Sequence, residues 1–332
     1  MHATADATNR YAAGHPEYRD RGFYRTVRGL QVSSLGIGTY LGGADEATDH
    51  AYIDALIAAG EGGINFFDCA INYRHQRSER SIGAALKQLD REQIVVCTKA
   101  GFLIQGAVPD SLPAADVVGR MHSMAPDFLE DQIGRSRANM GVDTIDVFYL
   151  HNPETQLGFR TREQFEEGIR RAFARLETLV ERGWICWYGA ATWDGLRQKD
   201  GLSLRRLAAI AGEEGGPKHR FRFIQLPFNL GMVEAFVGRP DNLLEAAAEL
   251  DIAVVASATL MQTRVLANMP DAVRELLPGL ASDAQRAIQF TRSTPGIAVA
   301  LVGMSRREHV LDNLGVARVA PAAREQYLRL YQ

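Results

Sequence analysis

Short apolar runs alternate with amphipathic segments along the chain from Gln31 onward. The runs are rich in β-branched and aromatic residues, and polar or glycine residues follow them, a pattern typical of buried parallel strands. The segments between the runs repeat apolar residues at helical spacing, as Ile82, Ala85 and Leu86 do. The first predicted strand ends at residues 36–40, and the others span 64–67, 94–98, 145–150, 185–188, 223–226, 252–256 and 297–302.

The predicted helices span residues 48–59, 78–89, 127–140, 162–182, 203–211, 242–250 and 281–291, and the last begins near Arg306. Eight successive strand and helix units predict a closed (β/α)8 barrel, an α/β fold in which residues 23–332 form a single domain. A doubly wound nucleotide-binding sheet is the alternative. It is disfavoured because Gly36-Ile37-Gly38 lacks the third glycine of that fingerprint, where Leu41 stands.

Three segments lie outside the repeated units. Residues 23–32 contain Arg28-Gly29 between short alternating segments, which predicts a hairpin. Residues 1–22 lack both a signal-peptide core and helical periodicity, so we expect a partly ordered tail. Residues 101–125 are polar and contain proline, which indicates a long insertion after the third strand.

Composition narrows the class of ligand. The chain has 332 residues, 46% of them apolar, and a formal net charge of −3 with scattered basic residues, so we expect a small-molecule ligand and no nucleic acid. The longest apolar runs, of about ten residues, are too short to span a bilayer. Cys69, Cys97 and Cys186 have no metal-ligand spacing, so we predict no metal site and reduced thiols in a cytoplasmic protein. The oligomeric state is left open.

Three predicted strands end in ionisable side chains. Asp68 follows the second strand, Lys99 the third and His151 the fourth, and Tyr73 comes five residues after Asp68. Singly, each has a common structural explanation, such as a helix cap, an ion pair or a packed ring. Because the carboxyl ends of parallel strands meet at one face of a barrel, their succession instead favours a shared site.

Several short motifs follow one another along the chain. They are Leu35-Gly36-Ile37-Gly38-Thr39-Tyr40, Asn65-Phe66-Phe67-Asp68-Cys69-Ala70, Tyr73 with Ser78-Glu79, Thr98-Lys99, Ile145-Asp146-Val147-Phe148-Tyr149-Leu150-His151, Ile224-Gln225-Leu226-Pro227-Phe228-Asn229 and Gly303-Met304-Ser305-Arg306-Arg307-Glu308-His309 with Asn313. In this order they resemble the aldo-keto reductases, including the potassium-channel β subunits that share their fold. The resemblance runs from about Phe23 to the C-terminus and implies a hairpin that plugs the bottom of the barrel.

The resemblance implies carbonyl reduction, or oxidation of the matching alcohol, with an aldehyde, a ketone or the matching alcohol as substrate, sugar-like compounds included. That reaction needs a hydride donor and a proton donor. Tyr73 is then the acid and base, because a nearby ammonium such as Lys99 stabilises its phenolate. Asp68 keeps Lys99 charged and in place, and His151 orients the carbonyl by a hydrogen bond. Cys97 lies two residues before Lys99 on its strand, so its side chain points the same way and is expected to fill the barrel interior.

The same resemblance implies NADP(H) as cofactor, with NAD(H) as the alternative. Gln225 would hold the nicotinamide amide, and the segment Gly303 to Arg306 would face a phosphate at a helix start, with His309 and Asn313 toward the adenine. The full cofactor set is Gly38, Thr39, Tyr40, Asp68, Asn152, Ala191, Thr192, Gln225, Ser257, Gly303, Ser305, Arg306, His309 and Asn313. The substrate set is Tyr40, Arg74, His151 and Trp193.

The sequence departs from the family near the expected nicotinamide. Ala191-Thr192 replaces a Ser-Asn pair, Ser257 replaces a stacking aromatic, and Arg74-His75 follows Tyr73 where glycine is common. Glu79 is expected to cap a helix. Two other functions stay open: an NADPH-binding regulatory or sensor subunit with slow turnover, and a redox-neutral lyase or epimerase on the same barrel.

Overall fold

The computed structural model describes residues 1–198, 200–238 and 242–331. The strands are β1 (Tyr24–Val27), β2 (Leu30–Ser33), β3 (Leu35–Gly38), β4 (Phe66–Asp68), β5 (Val95–Ala100), β6 (Val117–Val118), β7 (His122–Ser123), β8 (Ile145–His151), β9 (Ile185–Ala191), β10 (Phe221–Pro227), β11 (Ala253–Ser257) and β12 (Ile297–Gly303). The α-helices are α1 (Ala5–Gly14), α2 (Pro16–Arg19), α3 (Glu46–Glu61), α4 (Arg77–Leu86), α5 (Pro126–Met140), α6 (Arg162–Glu181), α7 (Leu204–Gly215), α8 (Glu234–Val237), α9 (Leu243–Glu249), α10 (Asp271–Leu276), α11 (Asp283–Ser293), α12 (Arg307–Asn313) and α13 (Arg324–Leu328).

Within the described ranges, eight parallel strands close into a barrel. Going round it, β3, β4, β5, β8, β9, β10, β11 and β12 pair in turn, and β12 pairs again with β3. The predicted (β/α)8 barrel is confirmed. Helices surround it, and the long α6 begins with a capping box in which the Thr161 side chain accepts from the Gln164 N–H and the Gln164 side chain accepts from the Thr161 N–H.

The barrel interior is filled at its amino end by the predicted hairpin. Strands β1 and β2 pair antiparallel, and Val27, Leu30 and Val32 belong to one buried cluster with Phe66 and Cys97 of the barrel. The hairpin therefore closes the amino end of the barrel, and Cys97 fills its interior as predicted. Among the described residues, none of the helices has the length and apolar character needed to cross a membrane.

The N-terminal segment is more ordered than its sequence suggested. Residues 1–22, expected as a partly ordered tail, instead form α1 and α2. Thr4 caps α1, and Tyr11 donates its hydroxyl to the Gly60 carbonyl at 2.6 Å. The buried face of α1 is built largely of small residues such as Ala7 and Ala12, which give a weak hydrophobic signal in the sequence.

Strand β9 is longer than predicted. The sequence placed its end at residue 188, but the ladder continues to Ala191, which pairs with His151 on one side and with Gln225 on the other. Glycine at 189 permits this, because a Cβ there would lie 2.0 Å from the Phe223 carbonyl oxygen. The extension carries Ala191 to the carboxyl end of the barrel.

Candidate active site

Two of the predicted strand-end residues form a buried ion pair. The Lys99 Nζ donates to Asp68 Oδ1 at 2.5 Å and to the Cys69 carbonyl at 2.7 Å. Burial lowers the pKa of Lys99, but the charge of Asp68, its hydrogen bond to Lys99 and the nearby Tyr73 and Cys69 together raise it by more, so the net pKa is raised. Lys99 is therefore a fixed positive charge at the carboxyl end of β5.

Gln225 completes the hydrogen bonding of this pair. Its Nε2 donates to the second oxygen of Asp68, Oδ2, at 2.9 Å. The resemblance had implied that Gln225 holds the nicotinamide amide, but in this structure the donor end of its side chain is committed to Asp68. Both carboxylate oxygens of Asp68 are thus held in place, which fixes Lys99 as well.

Tyr73 lies beside this pair in the turn after β4. Its ring centroid is 5.1 Å from Lys99 Nζ, 4.9 Å from the Tyr40 ring centroid and 5.7 Å from that of His151. Burial raises the pKa of the Tyr73 phenol, and Lys99 opposes that shift only in part. The phenol is therefore neutral at ordinary pH and holds a proton that it can donate.

The chain after Tyr73 is held in an unusual conformation. Arg74, His75 and Gln76 all have positive φ, at 50°, 53° and 70°. The Arg74 guanidinium forms an ion pair with Asp49, donates to the Gly43 carbonyl at 2.8 Å and is almost fully buried. The prediction that Arg74 contacts substrate is therefore replaced by an anchoring role, because its charge is neutralised by α3.

His151 ends β8 and faces the same site. Its imidazole meets the Tyr73 ring edge to face and lies 5.1 Å from the Phe102 ring, centroid to centroid. Burial, with smaller contributions from Lys99 and His122, lowers the pKa of His151 well below its usual value. The imidazole is thus neutral and can donate one N–H. Its Nδ1 is buried and has no partner among the described residues.

Small residues and free polar atoms border the four side chains. Gly38 and Gly303 are opposite each other on β3 and β12, which leaves that part of the rim without side chains. Thr39 is buried and donates its hydroxyl to the Asp68 carbonyl at 3.2 Å. The Thr192 hydroxyl oxygen is buried without a partner among the described residues, so it is available to a ligand.

The remaining predicted contacts lie in three places around this rim. Asn152 follows His151 with φ at 47°, and its N–H donates to the Ala191 carbonyl at 2.6 Å. Ala191 is buried, and Ser257 ends β11 with partial exposure. Ala191 and Ser257 carry no amide side chain and no aromatic ring, whereas the resemblance implies a polar clamp and a stacking aromatic there.

The segment after β12 is polar and open. Arg306 immediately precedes α12, and its guanidinium makes only a 3.5 Å contact with exposed Glu308 among the ion pairs of the described residues. Ser305, just before this helix, is partly exposed. On α12 itself, His309 is exposed and Asn313 is buried. Arg306 is accordingly free to pair with an anion.

The loop after β9 is organised by a residue that the sequence reading missed. The Oε1 atom of Glu154 accepts from the backbone N–H groups of Trp193, Asp194 and Gly195 at 2.7, 3.3 and 3.3 Å. The Trp193 ring stays exposed at this rim, as does that of Tyr40. Nothing in the local sequence around Glu154 distinguishes it from an ordinary loop acid.

Glu79 also differs from its prediction. It was expected to cap a helix, but its carboxyl group is buried within α4 and accepts from the Thr98 hydroxyl at 2.6 Å and from the Asn139 amide at 2.8 Å. Burial raises its pKa. Glu79 therefore ties α4 and α5 to the back of β5, next to Lys99.

A family model described as "Aldo/keto reductase family" matches residues 34–275. The chain belongs to the aldo/keto reductase family. The NADH-specific methylglyoxal reductase of Escherichia coli strain K12 is 28% identical over 188 residues, which are 54% of this chain and 55% of that protein. The chain thus matches little more than half the length of this relative.

Two other members are similar over most of their length. A putative voltage-gated potassium channel subunit beta of Schizosaccharomyces pombe is 22% identical over 314 residues, 86% of this chain and 85% of that protein. The solved structure of an aldo/keto reductase from Klebsiella pneumoniae, in complex with NADP and acetate, superposes with a TM-score of 0.67. That match has 20% identity and covers 93% of this chain and 95% of the other.

Proposed function

We propose that this aldo/keto reductase interconverts a carbonyl compound and an alcohol with NADP(H), with Tyr73 as acid and base. The observation that carries the proposal is the buried pair of Lys99 and Asp68 beside a neutral phenol and a neutral imidazole. A neutral acid next to a fixed cation suits proton transfer to an oxygen that gains negative charge.

The residues around the rim fit a nicotinamide dinucleotide. The free hydroxyl of Thr192 suits the polar amide end, and the bare surface at Gly38 and Gly303 leaves room for the cofactor backbone. Arg306 supplies an exposed cation for a phosphate, because its contact with Glu308 is long and solvent-exposed. His309 and Asn313 would serve the adenine end. When bound, NADPH supplies the hydride that no protein side chain can provide.

The side chains of His151, Tyr73, Lys99 and Asp68 are proposed to have separate roles in the reaction. His151 donates an N–H to the carbonyl oxygen and orients it. Tyr73 gives its proton to that oxygen as the carbonyl carbon accepts a hydride, so the alcohol forms and the phenolate is left behind. Lys99 stabilises the phenolate, and Asp68 with Gln225 keeps Lys99 in position. Solvent then restores the Tyr73 proton.

Tyr40 and Trp193 lie at the exposed rim and are proposed to contact the substrate. Both are aromatic, and Tyr40 packs against Tyr73. Their rings favour the apolar part of a carbonyl compound over its polar part. We therefore include aromatic aldehydes with dicarbonyls and aldoses in the substrate panel below.

A second function has an observation in its favour. Ala191 and Ser257 leave the expected nicotinamide position without an amide clamp or a stacking ring, and the potassium-channel β-like protein matches nearly the whole chain. A subunit that binds NADPH and turns over slowly would combine these features. Such a subunit would bind the cofactor mainly through Arg306, and its function would depend little on Asp68, Tyr73, Lys99 and His151.

Steady-state oxidation of NADPH against the carbonyl panel tests the proposal, with Tyr73→Phe as the matched control. We expect turnover with at least one carbonyl and its loss in the variant. Tight NADPH binding with equally slow oxidation in both proteins would favour the sensor. Conversion of a substrate without any NADPH oxidation would favour the redox-neutral lyase or epimerase.

A further inference from the structure

The carbonyl of His151 lacks a strand partner on one side. The ladder between β5 and β8 ends at the pair Ala100 and Leu150, because the chain leaves the barrel at Gly101. On the other side the N–H of Asn152 donates to Ala191 of β9. In a trans peptide the N–H and C=O point in opposite directions, so the His151 oxygen points to the place that β5 has vacated.

A histidine from the insertion occupies that place. His122, on β7, is buried, and its Nε2 lies 2.8 Å from the His151 carbonyl oxygen. The Nε2 of Gln156 lies 3.0 Å from His122 Nδ1, and Arg160 donates to the Gln156 oxygen at 3.2 Å. Because Arg160 orients the amide of Gln156, His122 Nδ1 accepts a hydrogen bond. The Nε2 atom of His122 therefore carries the proton and donates a hydrogen bond to the His151 carbonyl oxygen.

The approach of His122 depends on glycine at position 101. A Cβ there would lie 2.6 Å from His122 Nε2 and 2.6 Å from the His151 carbonyl oxygen, which is shorter than any normal contact. The Phe102 ring lies 5.2 Å from the His122 ring and 5.1 Å from the His151 ring, each nearly perpendicular to it. The two imidazoles are thus joined by a hydrogen bond and by one shared aromatic ring.

The His151 ring itself has no polar support at Nδ1. Its orientation therefore depends on its backbone and on the rings of Tyr73 and Phe102. We propose that His122 is a positioning residue, which takes the place of the missing β5 backbone N–H and fixes the end of β8 that presents the His151 imidazole. The kinetic part of this inference rests on the proposed carbonyl chemistry, whereas the structural part does not.

Three variants isolate the contact. His122→Phe removes the donor but keeps a ring beside Phe102, and His122→Gln restores a donor because the glutamine amide nitrogen occupies nearly the position of Nε2. Gly101→Ala keeps the His122 residue unchanged but displaces its ring from the His151 carbonyl, because the added methyl group would overlap with it. His50→Phe, on the exposed side of α3, is the control for an unrelated histidine.

We expect His122→Phe and Gly101→Ala to lower kcat roughly 10- to 100-fold, since small displacements of catalytic groups have effects of this size. The dissociation constant of NADPH should stay unchanged, and His122→Gln should recover most of kcat. A merely structural role would instead lower the melting temperature and leave kcat per folded molecule unaltered.

The imidazole nitrogen chemical shifts of His151, assigned from their loss in His151→Asn, provide a readout that needs no turnover. They should move in His122→Phe and Gly101→Ala, return in His122→Gln and stay unchanged in His50→Phe. If the His151 nitrogen chemical shifts and kcat of folded His122→Phe both equal the wild-type values, the inference is wrong. If His122→Phe does not fold, Gly101→Ala and His122→Gln decide in the same way. Absence of wild-type turnover would overturn the proposed function, and the shifts alone would then decide the positioning role.

Discussion

Among the described residues, a buried ion pair lies at each end of the barrel, and the two pairs differ in what surrounds them. At the amino end, Arg91 donates to Asp146 at 2.8 Å, and the other Asp146 contacts are the N–H groups of Val96 and Ala3 at 2.8 and 2.7 Å. At the carboxyl end, Lys99 and Asp68 lie beside Tyr73 and His151 instead.

The surroundings of each pair are the basis on which we propose a structural role for one and a functional role for the other. The carboxylate of Asp146 joins the N-terminal segment, β5 and β8, and it accepts hydrogen bonds from the Arg91 guanidinium and from the backbone N–H groups of Ala3 and Val96. Around Lys99, a phenol and an imidazole have displaced pKa values, and His151 Nδ1 and Thr192 Oγ1 lack partners among the described residues. Because the phenol and the imidazole with displaced pKa values both lie against the Lys99 and Asp68 pair, we propose the carboxyl end as the reactive one.

The largest expected effect is at the carboxyl end. Tyr73→Phe should lower kcat on the order of 10²- to 10⁴-fold, the usual worth of general acid catalysis. The NADPH dissociation constant should remain nearly the same, because the hydroxyl acts on the substrate in the transition state. Single-turnover kinetics and calorimetry measure the two quantities. Turnover near the wild-type value in the variant would remove Tyr73 from its assigned role.

The second prediction compares the loss of the carboxylate charge at each end of the barrel. Asp146→Asn breaks a buried ion pair and should lower the free energy of unfolding by about 3–5 kcal/mol, while turnover per folded molecule stays the same. Asp68→Asn should instead abolish turnover, because Lys99 loses its partner at the site. Denaturant unfolding and steady-state kinetics on both variants test this. A catalytic loss in Asp146→Asn without a loss of stability would erase the distinction between the two ends.

The third prediction concerns pH. Burial lowers the pKa of His122 to about 4, whereas His122 in the unfolded chain takes up its proton near the ordinary value of about 6.5. The unfolded state therefore binds more protons between these values, and stability should fall by about 3 kcal/mol as the pH drops from 6.5 to 4. His122→Gln should flatten this slope.

A histidine at the amino end is the matched comparison for that experiment. The pKa of His219 is also lowered to about 4, mainly by burial, but its ring is only half buried. Solvent weakens its contribution, so His219→Gln should change the slope less than His122→Gln does. Unfolding by urea at a series of pH values measures both slopes, and equal slopes for the two variants would contradict the burial argument.

The fourth prediction addresses cofactor choice. Arg306→Ala should weaken NADPH about 10-fold and NADH much less, because only NADPH carries the 2′-phosphate that an exposed guanidinium can pair with. Arg307→Ala, on the next residue, is the control. Equal losses for both cofactors would place the phosphate contact elsewhere, and a preference for NADH would resemble the similar Escherichia coli reductase.

The smallest effect is expected at Ser257. Because Ala191 and Ser257 leave the nicotinamide position open, we predict that the adenosine end dominates affinity and that 2′,5′-ADP binds nearly as tightly as NADPH. Ser257→Tyr should tighten NADPH by about 1 kcal/mol through stacking, unless its ring clashes with Trp193. Calorimetry with both ligands measures this. A fragment that binds far more weakly would show that Thr192 and its neighbours hold the nicotinamide after all.

Much of the fold could be predicted because barrel strands are buried on both sides. The run of residues 297–302 is apolar over its whole length, and residues 145–150 are apolar except for Asp146, so hydrophobicity predicts the positions of both strands. Asp68, Lys99 and His151 could be placed together because parallel strands end at one face. Helix α1 was missed because alanines provide its buried face, and its stability comes from contacts such as that of Tyr11 with Gly60.

Side-chain partners could not be predicted in the same way. Gln225 lies 157 residues from Asp68 in the chain, and Glu154 is 39 residues from Trp193, so no local pattern reports either contact. Arg74 was expected to face substrate because it follows Tyr73, but three consecutive residues with positive φ turn the chain and let it pair with Asp49. These outcomes depend on tertiary geometry rather than on periodicity.

The most direct test of the proposed chemistry follows the hydride itself. NADPH deuterated at the transferable position of its nicotinamide is mixed with the enzyme and the carbonyl that supports the fastest NADPH oxidation, and the alcohol is analysed by mass spectrometry and NMR. We predict one deuterium on the carbinol carbon with the wild type and almost none with Tyr73→Phe over the same time. NADPH that stays bound and unoxidised, with no deuterium in any product across the carbonyl panel, would contradict the account.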